Sequence, residues 1–447
     1  MTARPAPAGL TSDQRFAETV AALERLRHRG VRPGIDRMAR LCRHLGHPER
    51  AAPAVHVTGT NGKGSTAKMV ATLLGAQGQR VGLYTSPHLV DVTERIALDG
   101  VPITHERFVE LYESLVPTFE TVGAQLGEPI THFEALTAMA LVAFAQDQVD
   151  SLMIEVGIGG THDDTNVVDA AVAVVTNVDL DHARYLGSTR EEVAAQKAGI
   201  IKAKAVAILG EVDPGIRRIL EVRCAEVGAT PWRLGQEVRI LHQAPAPGGR
   251  AVTVATPGGH YRVRVPLRGA HQAANAACAL AAAEAFGGHP LPPDSLGALR
   301  EMANPAHLEL FGEPPAAAVD VAHNPHGSAA LAAALEEAFG PRPRVLVFGV
   351  SPDKDAASML RRLCDHVAAA VFTQCPDAPH REPEELAELA RDLGYRATWV
   401  EPDPRQAVRA ARSLASHGEL VVLTGSHYWI GDVYPELTSL FGPPSAR

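Results

Sequence analysis

The residues Thr58–Thr66, TGTNGKGST, set three glycines around one lysine. AVHV runs ahead of them and AKMVATLLGAQG behind, so the stretch lies between an apolar strand and a long helix. Glycines let successive backbone N–H groups converge on an anion, and the following helix adds its positive N-terminal end. The chemistry this suits is phosphate binding. Thr60, Asn61, Gly62, Gly64 and Ser65 form the cradle, Lys63 brings a mobile point charge to the outer phosphates, and the hydroxyl of Ser65 or Thr66 could hold magnesium. The strict G-x-x-x-x-G-K-[ST] pattern is not met, because Gly64 separates Lys63 from Ser65. A plain strand-to-helix turn is the bland alternative, and the flanking strand and helix weigh against it. Glu155 stands at the end of the apolar run DSLMIEV, where an unpaired carboxylate is costly to bury. It is therefore expected to face a cation. His182 follows the apolar run at 170–176, at the carboxyl edge where α/β sites form.

The elements that position these residues alternate. AVHVT (54–58), RVGLYT (80–85), DSLMIEV (150–156), AAVAVVT (170–176) and AVAIL (205–209) are short apolar runs with few charges, as strands buried on both faces should be. Helical patterns at 65–76, 131–147 and 189–199 lie between them, which predicts a parallel, doubly wound α/β sheet. At about 237–267 the rhythm changes to EVRIL, RAVTVAT and HYRVRVPL, punctuated by APAPGG and PGG, as in antiparallel hairpins. An alanine-rich helix and the proline-rich passage GHPLPPDSLGALREMANPAHLEL follow. A second βα series then begins, with strands expected at 316–322, 344–350, 368–374, 396–400 and 419–425. The division expected is one domain over 1–300, carrying a small β insertion, and another over 301–447.

The totals exclude several classes. The net charge is -9 and aromatic residues make up 5%, which argues against a nucleic-acid partner. Cys42, Cys224, Cys278, Cys364 and Cys375 show no C-x-x-C spacing, so reduced thiols in a cytoplasmic protein are expected. No basic start precedes an apolar run, and no stretch approaches the ~18 apolar residues of a membrane span. The first ten residues are expected to fray.

Ten short motifs occur in order: GTNGKGS, SPHL, HFE, EVGIGGTHDDTN, NVDLDHARYLG, QKAGIIK, GAHQAANAACAL, DVAHNP, DKD and TGSHYWIGDV. In that order they resemble the folylpolyglutamate synthase/dihydrofolate synthase family, a branch of the Mur-type ligases, from about residue 30 to about 435. The resemblance implies a P-loop ATPase domain and a C-terminal Rossmann-like α/β domain. It implies an ATP-dependent amide ligase that activates a folate-type carboxylate as an acyl phosphate, for attack by glutamate's amine. It further implies that Lys63 binds phosphate, and that Ser86 and Glu155 hold a first magnesium ion. His182 would be a ligand of a second ion, and Lys197 would be carbamylated beside it. Asn275, Asp320 and His323 would contact the nucleotide. Phe133, Glu134 and Asp163 would contact the acceptor, although Phe133 equally fits the apolar face of its own helix. Asp179 and Asp181 would stand behind the metal or in solvent. A monomer binding only small molecules is expected.

Five positions depart from the family pattern: Thr161 and Val321 replace Arg and Gly, Gln196 replaces Glu, and Ala306-His307 stand where Gly-Arg is usual. They leave open a related ligase for a non-folate acid, and a nucleotide-binding regulator without turnover.

Overall fold

The computed structural model describes residues 11–27, 34–376 and 378–445. The fraying expected of the first ten residues lies outside them. Among the described residues the strands form three sheets.

The first sheet holds β1 (Ala54–Thr58), β2 (Val81–Tyr84), β3 (Ile96–Leu98), β4 (Val101–Pro102), β5 (Ser151–Glu155), β6 (Ala170–Val175), β7 (Val206–Leu209) and β8 (Thr230–Arg233). Their order is β4-β3-β2-β5-β1-β6-β7-β8. It is parallel from β2 to β8, with β3 and β4 added antiparallel at one edge. Every residue of β1 and β5 is buried. Helix His132–Gln146 belongs to the core on one face, and helices Lys63–Gly75 and His271–Gly287 to the core on the other. Ala273, Ala276, Ala277 and Ala281 of the alanine-rich helix are buried with Val70 and Leu74. Such small side chains let two helix backbones approach closely.

The second sheet is the insertion: β9 (Arg239–Ala246), β10 (Gly249–Ala255) and β11 (His260–Val265), antiparallel in the order β11-β10-β9. The third holds β12 (His307–Phe311), β13 (Ala317–Asp320), β14 (Arg344–Phe348), β15 (Val367–Phe372), β16 (Thr398–Val400) and β17 (Leu420–Thr424). Its order is β12-β13-β17-β14-β15-β16, parallel throughout except for β12 against β13.

The expected strands are all present. The structure adds three pieces that sequence reading left as connections: the β3–β4 pair, β8 and β12. Each sits at a sheet edge, where one side of the strand is exposed and the apolar run that marks a buried strand is absent. β1 lies between β5 and β6, so the chain leaves the sheet centre in both directions. That crevice, at the carboxyl ends of the strands, is where ligands bind in open α/β sheets.

Candidate active site

A cleft of about 760 Å³ lies between the carboxyl ends of the first and third sheets. Thr60, Asn61, Gly62, Lys63, Gly64 and Ser65 line one wall. Gly62 precedes the helix with φ +79°, and a Cβ there would lie 2.3 Å from Asn275 Oδ1. Only glycine fits that backbone. The loop is stitched to the segment after β6. Thr60 N donates to Asn177 O at 3.0 Å, Asn61 N donates to Asn177 Oδ1 at 3.0 Å, and Asp179 N donates to Thr60 Oγ1 at 2.8 Å. Lys63 Nζ donates to Gly59 O at 3.1 Å and Thr60 O at 3.3 Å, folded over the loop. Of the two hydroxyls, Ser65 lines the cleft, whereas Thr66 is fully buried and is not part of its wall.

Glu155 and Ser86 face this loop. Glu155 is 4% exposed, and its Oε2 accepts from Ser86 N at 2.9 Å. Burial raises its pKa, while the charges of Lys63, Lys68 and Arg95 pull it back. A Cβ on Gly64 would sit 3.3 Å from Glu155 Oε2, so the carboxylate abuts the start of the phosphate-facing helix. A carboxylate and a hydroxyl are hard oxygen ligands suited to magnesium, which keeps several waters and takes the rest from phosphate. Among the described residues no three His, Cys, Asp or Glu side chains form a metal-holding group. A cation here would therefore draw further ligands from phosphate and water.

His182 lines the cleft, in the left-handed backbone region at φ +50°. Burial pushes its pKa down to about 4, so the imidazole is neutral and able to coordinate. Lys197 is 3% exposed and lies behind the wall, which its neighbour Gln196 lines. Among the described residues Lys197 Nζ has no hydrogen-bond partner. Burial first, and then the charge of Lys63, push its pKa down to about 7.

The opposite wall carries Asp320 and His323, and Asn275 lines the same cleft from the alanine-rich helix. Asp320 accepts from Leu308 N and Ala322 N, both at 2.8 Å, and burial pushes its pKa up to about 7. Two contacts join the walls. Asn61 and Asn324 exchange side-chain hydrogen bonds at 3.0 and 3.1 Å. Asp181 accepts from Lys354 Nζ at 2.5 Å and from Asn324 Nδ2 at 2.9 Å. The Asp181 side chain is 8% exposed, so of the two alternatives expected for it the solvated one does not hold. Burial opposes its charge, but His182, Lys354 and His323 together hold its pKa below the usual carboxylate range.

At the far end, Phe133 lines the cleft and also packs against the core under its helix. Asp163 lines the cleft as well. Glu134 does not belong to the wall. Its Oε2 accepts from Thr131 N in a capping box, and Arg37 Nε donates to its Oε1 at 2.5 Å. Glu134 therefore fixes the helix start, and the expectation that it touches the acceptor is corrected.

Residues 99–283 match the Mur ligase middle domain, and residues 308–427 match the Mur ligase, glutamate ligase domain. The chain is 36% identical to the dihydrofolate synthase/folylpolyglutamate synthase of Bacillus subtilis, over 91% of this chain and 96% of that protein. The chain belongs to the dihydrofolate synthase/folylpolyglutamate synthase family. Among solved structures it is similar to Mycobacterium tuberculosis folylpolyglutamate synthase complexed with ADP, with a TM-score of 0.90 and 34% identity, covering 98% of this chain and all of that one. It is also similar to Escherichia coli FolC in complex with DHPP and ADP, with a TM-score of 0.84 and 30% identity, covering 96% and 99% of the two chains.

Within this family the departures differ in weight. Thr161 gives its backbone N–H and its hydroxyl to Gln196 O, at 2.8 and 2.9 Å, and does not line the cleft. His307 does line it, with Nδ1 2.8 Å from Pro305 O, and burial pushes its pKa down to about 4. Lys68, absent from the sequence reading, lines the cleft beside Glu155 and donates to Asn304 Oδ1 at 3.0 Å. Asn304 in turn donates to Ser65 Oγ at 3.0 Å, tying the domain junction to the phosphate loop.

Proposed function

We propose that the protein is an ATP-dependent ligase that joins glutamate's amine to a folate-type carboxylate through an acyl phosphate. The observation that carries this reading is the convergence, in one cleft, of the Lys63 loop, the buried Glu155 beside Ser86, and Asp320 from the opposite sheet. The loop N–H groups and Lys63 are placed for the β- and γ-phosphates. Asn275 and Asp320 flank the space for the rest of the nucleotide, so ATP would bridge the two walls. A carboxylate oxygen of the acceptor attacks the γ-phosphorus and ADP leaves. The free amine of glutamate then attacks the acyl carbon, and the tetrahedral intermediate collapses to amide and phosphate. Lys63, able to swing from its loop carbonyls to the migrating group, neutralises charge as it develops. Magnesium at Ser86 and Glu155 would supply the same neutralisation from the other side.

A second magnesium ion would sit by His182 and a carbamylated Lys197. The fit rests on Lys197 itself. A buried amine facing Lys63 is disfavoured as a cation, and carbamylation makes it an anion able to hold a metal.

We also propose a domain boundary near residue 300, where the chain passes from the first two sheets to β12. We further propose that it acts as a monomer. Cys42, Cys224, Cys278 and Cys364 form no disulfide, which supports a reducing, cytoplasmic setting. No helix among the described residues is long and apolar enough to cross a membrane.

The test is phosphate release with dihydropteroate or tetrahydrofolate plus glutamate. Turnover that requires all three substrates supports the reading. Turnover only with other acids would move the protein to the non-folate alternative, and none with any acid in a broad panel would favour a regulator.

A further inference from the structure

The helix that leaves the phosphate loop, Lys63–Gly75, carries a second lysine in its second turn, Lys68. Helical side chains tilt toward the N-terminus, and residues four apart share a face. Lys68 therefore leans back toward Gly64. Gly64 is the residue that separates Lys63 from Ser65 and breaks the usual phosphate-loop pattern. Its missing side chain leaves room for a lysine reaching back over the first turn. A Cβ there would instead crowd the carboxylate of Glu155, 3.3 Å from its Oε2.

Lys68 lines the same cleft as Lys63, Ser65 and Glu155. Its Nζ donates to Asn304 Oδ1 at 3.0 Å, and Asn304 Nδ2 donates to Ser65 Oγ at 3.0 Å. One amide thus fixes the lysine and the loop serine relative to each other. An ammonium has three N–H donors, and Asn304 takes one of them. Glu155 and Glu94 act on Lys68 through their charge, against a burial that lowers its pKa. Neither is its hydrogen-bond partner. Glu94 accepts from the N–H groups of Leu89, Val90 and Asp91, and Glu155 Oε2 from Ser86 N. A charge held out of water is costly unless it is paired. Two donors of Lys68 are thus left for an anion in the cleft.

We propose that Lys68 is a second phosphate-binding cation, donating to the outer phosphates of ATP from the helix side while Lys63 holds them from the loop. This rests on the ATP-dependent ligase reading above. His307 fits the same division. The charge of Lys68 acts on the His307 ring, so the two side chains face one part of the cleft. With that imidazole neutral, Lys68 supplies the positive charge there. Asn304, which belongs to the domain junction, holds Lys68 and Ser65 at the spacing the phosphates require.

The experiment measures the Kd of ATP and of AMP by titration calorimetry, without acceptor, for wild type, Lys68→Gln and Lys68→Arg. Glutamine keeps an N–H donor for Asn304 and loses the charge, whereas arginine keeps the charge. The Kd of ATP should rise about tenfold or more in Lys68→Gln, the scale of a lost charge-assisted contact. The Kd of AMP should change less than about twofold, and Lys68→Arg should bind ATP within about threefold of wild type. On the wild-type protein, saturating ATP should protect Lys68 from an amine-acylating reagent, read by mass spectrometry, and AMP should not. An unchanged ATP Kd in Lys68→Gln overturns the proposal. So does an equal rise for ATP and AMP, or a loss in Lys68→Arg equal to that in Lys68→Gln. Equal acylation of Lys68 with and without ATP overturns it even if neither variant folds. If wild type binds no ATP, the ligase reading itself fails, and no variant is needed to see it.

Discussion

Lys197 offers the sharpest perturbation, because its chemistry depends on a dissolved gas. At about pH 7.5 an amine with a pKa of about 7 is roughly three-quarters neutral, whereas an ordinary lysine near 10.4 is neutral about once in a thousand molecules. The burial of Lys197 and the charge of Lys63 thus raise the reactive fraction by roughly 600-fold. The neutral nitrogen attacks carbon dioxide and sheds one proton, so a cation becomes an anion. Enzyme prepared free of carbon dioxide should therefore be poorly active and should recover on addition of bicarbonate. Below about pH 7 the amine takes up its proton, so at fixed carbon dioxide the recoverable activity should fall as pH drops through that value. ¹³C-bicarbonate should give a carbamate resonance that Lys197→Ala lacks, and short carboxylates should partly restore activity to that variant. Full activity without carbon dioxide, together with no carbamate resonance, would refute the reasoning.

The remaining predictions concern the nucleotide. Lys63→Ala should lower kcat by about 10²–10³-fold, the scale of a lost charge-stabilising donor, with a near-normal melting curve because Lys63 contacts only loop carbonyls. Steady-state rates and calorimetry check this. Asp320→Ala should raise the KM of ATP more than that of the acceptor, and should lower Tm because two backbone donors lose their acceptor. His307 is neutral well below pH 6, so its protonation should not tighten ATP binding between about pH 6 and 8. Titration calorimetry of wild type and His307→Arg checks this, with tighter binding expected for the arginine variant if its guanidinium reaches the nucleotide.

Much of this was legible in the sequence because the relevant signals are local. The apolar runs that became β1, β5, β6 and β14 carry their own punctuation, and the Lys63 loop announces itself between a strand and a helix. The Asp181–Lys354 and Asn61–Asn324 contacts join residues 173 and 263 positions apart, and nothing in either local pattern points to the other. Lys68 looks like any helix lysine until Asn304 arrives from the domain junction. Glu134 is different, because its signal was present. Thr131-x-x-Glu134 ahead of an apolar run is the capping-box pattern, and it points to a helix start rather than to a ligand.

The central claim is that the acceptor carboxylate receives the γ-phosphoryl group. Dihydropteroate labelled with ¹⁸O in its carboxylate tests it directly. With ATP and glutamate, one labelled oxygen should appear in the inorganic phosphate for each amide formed, with ADP as the other product. Amide formation with unlabelled phosphate, or with the label in AMP, would contradict it.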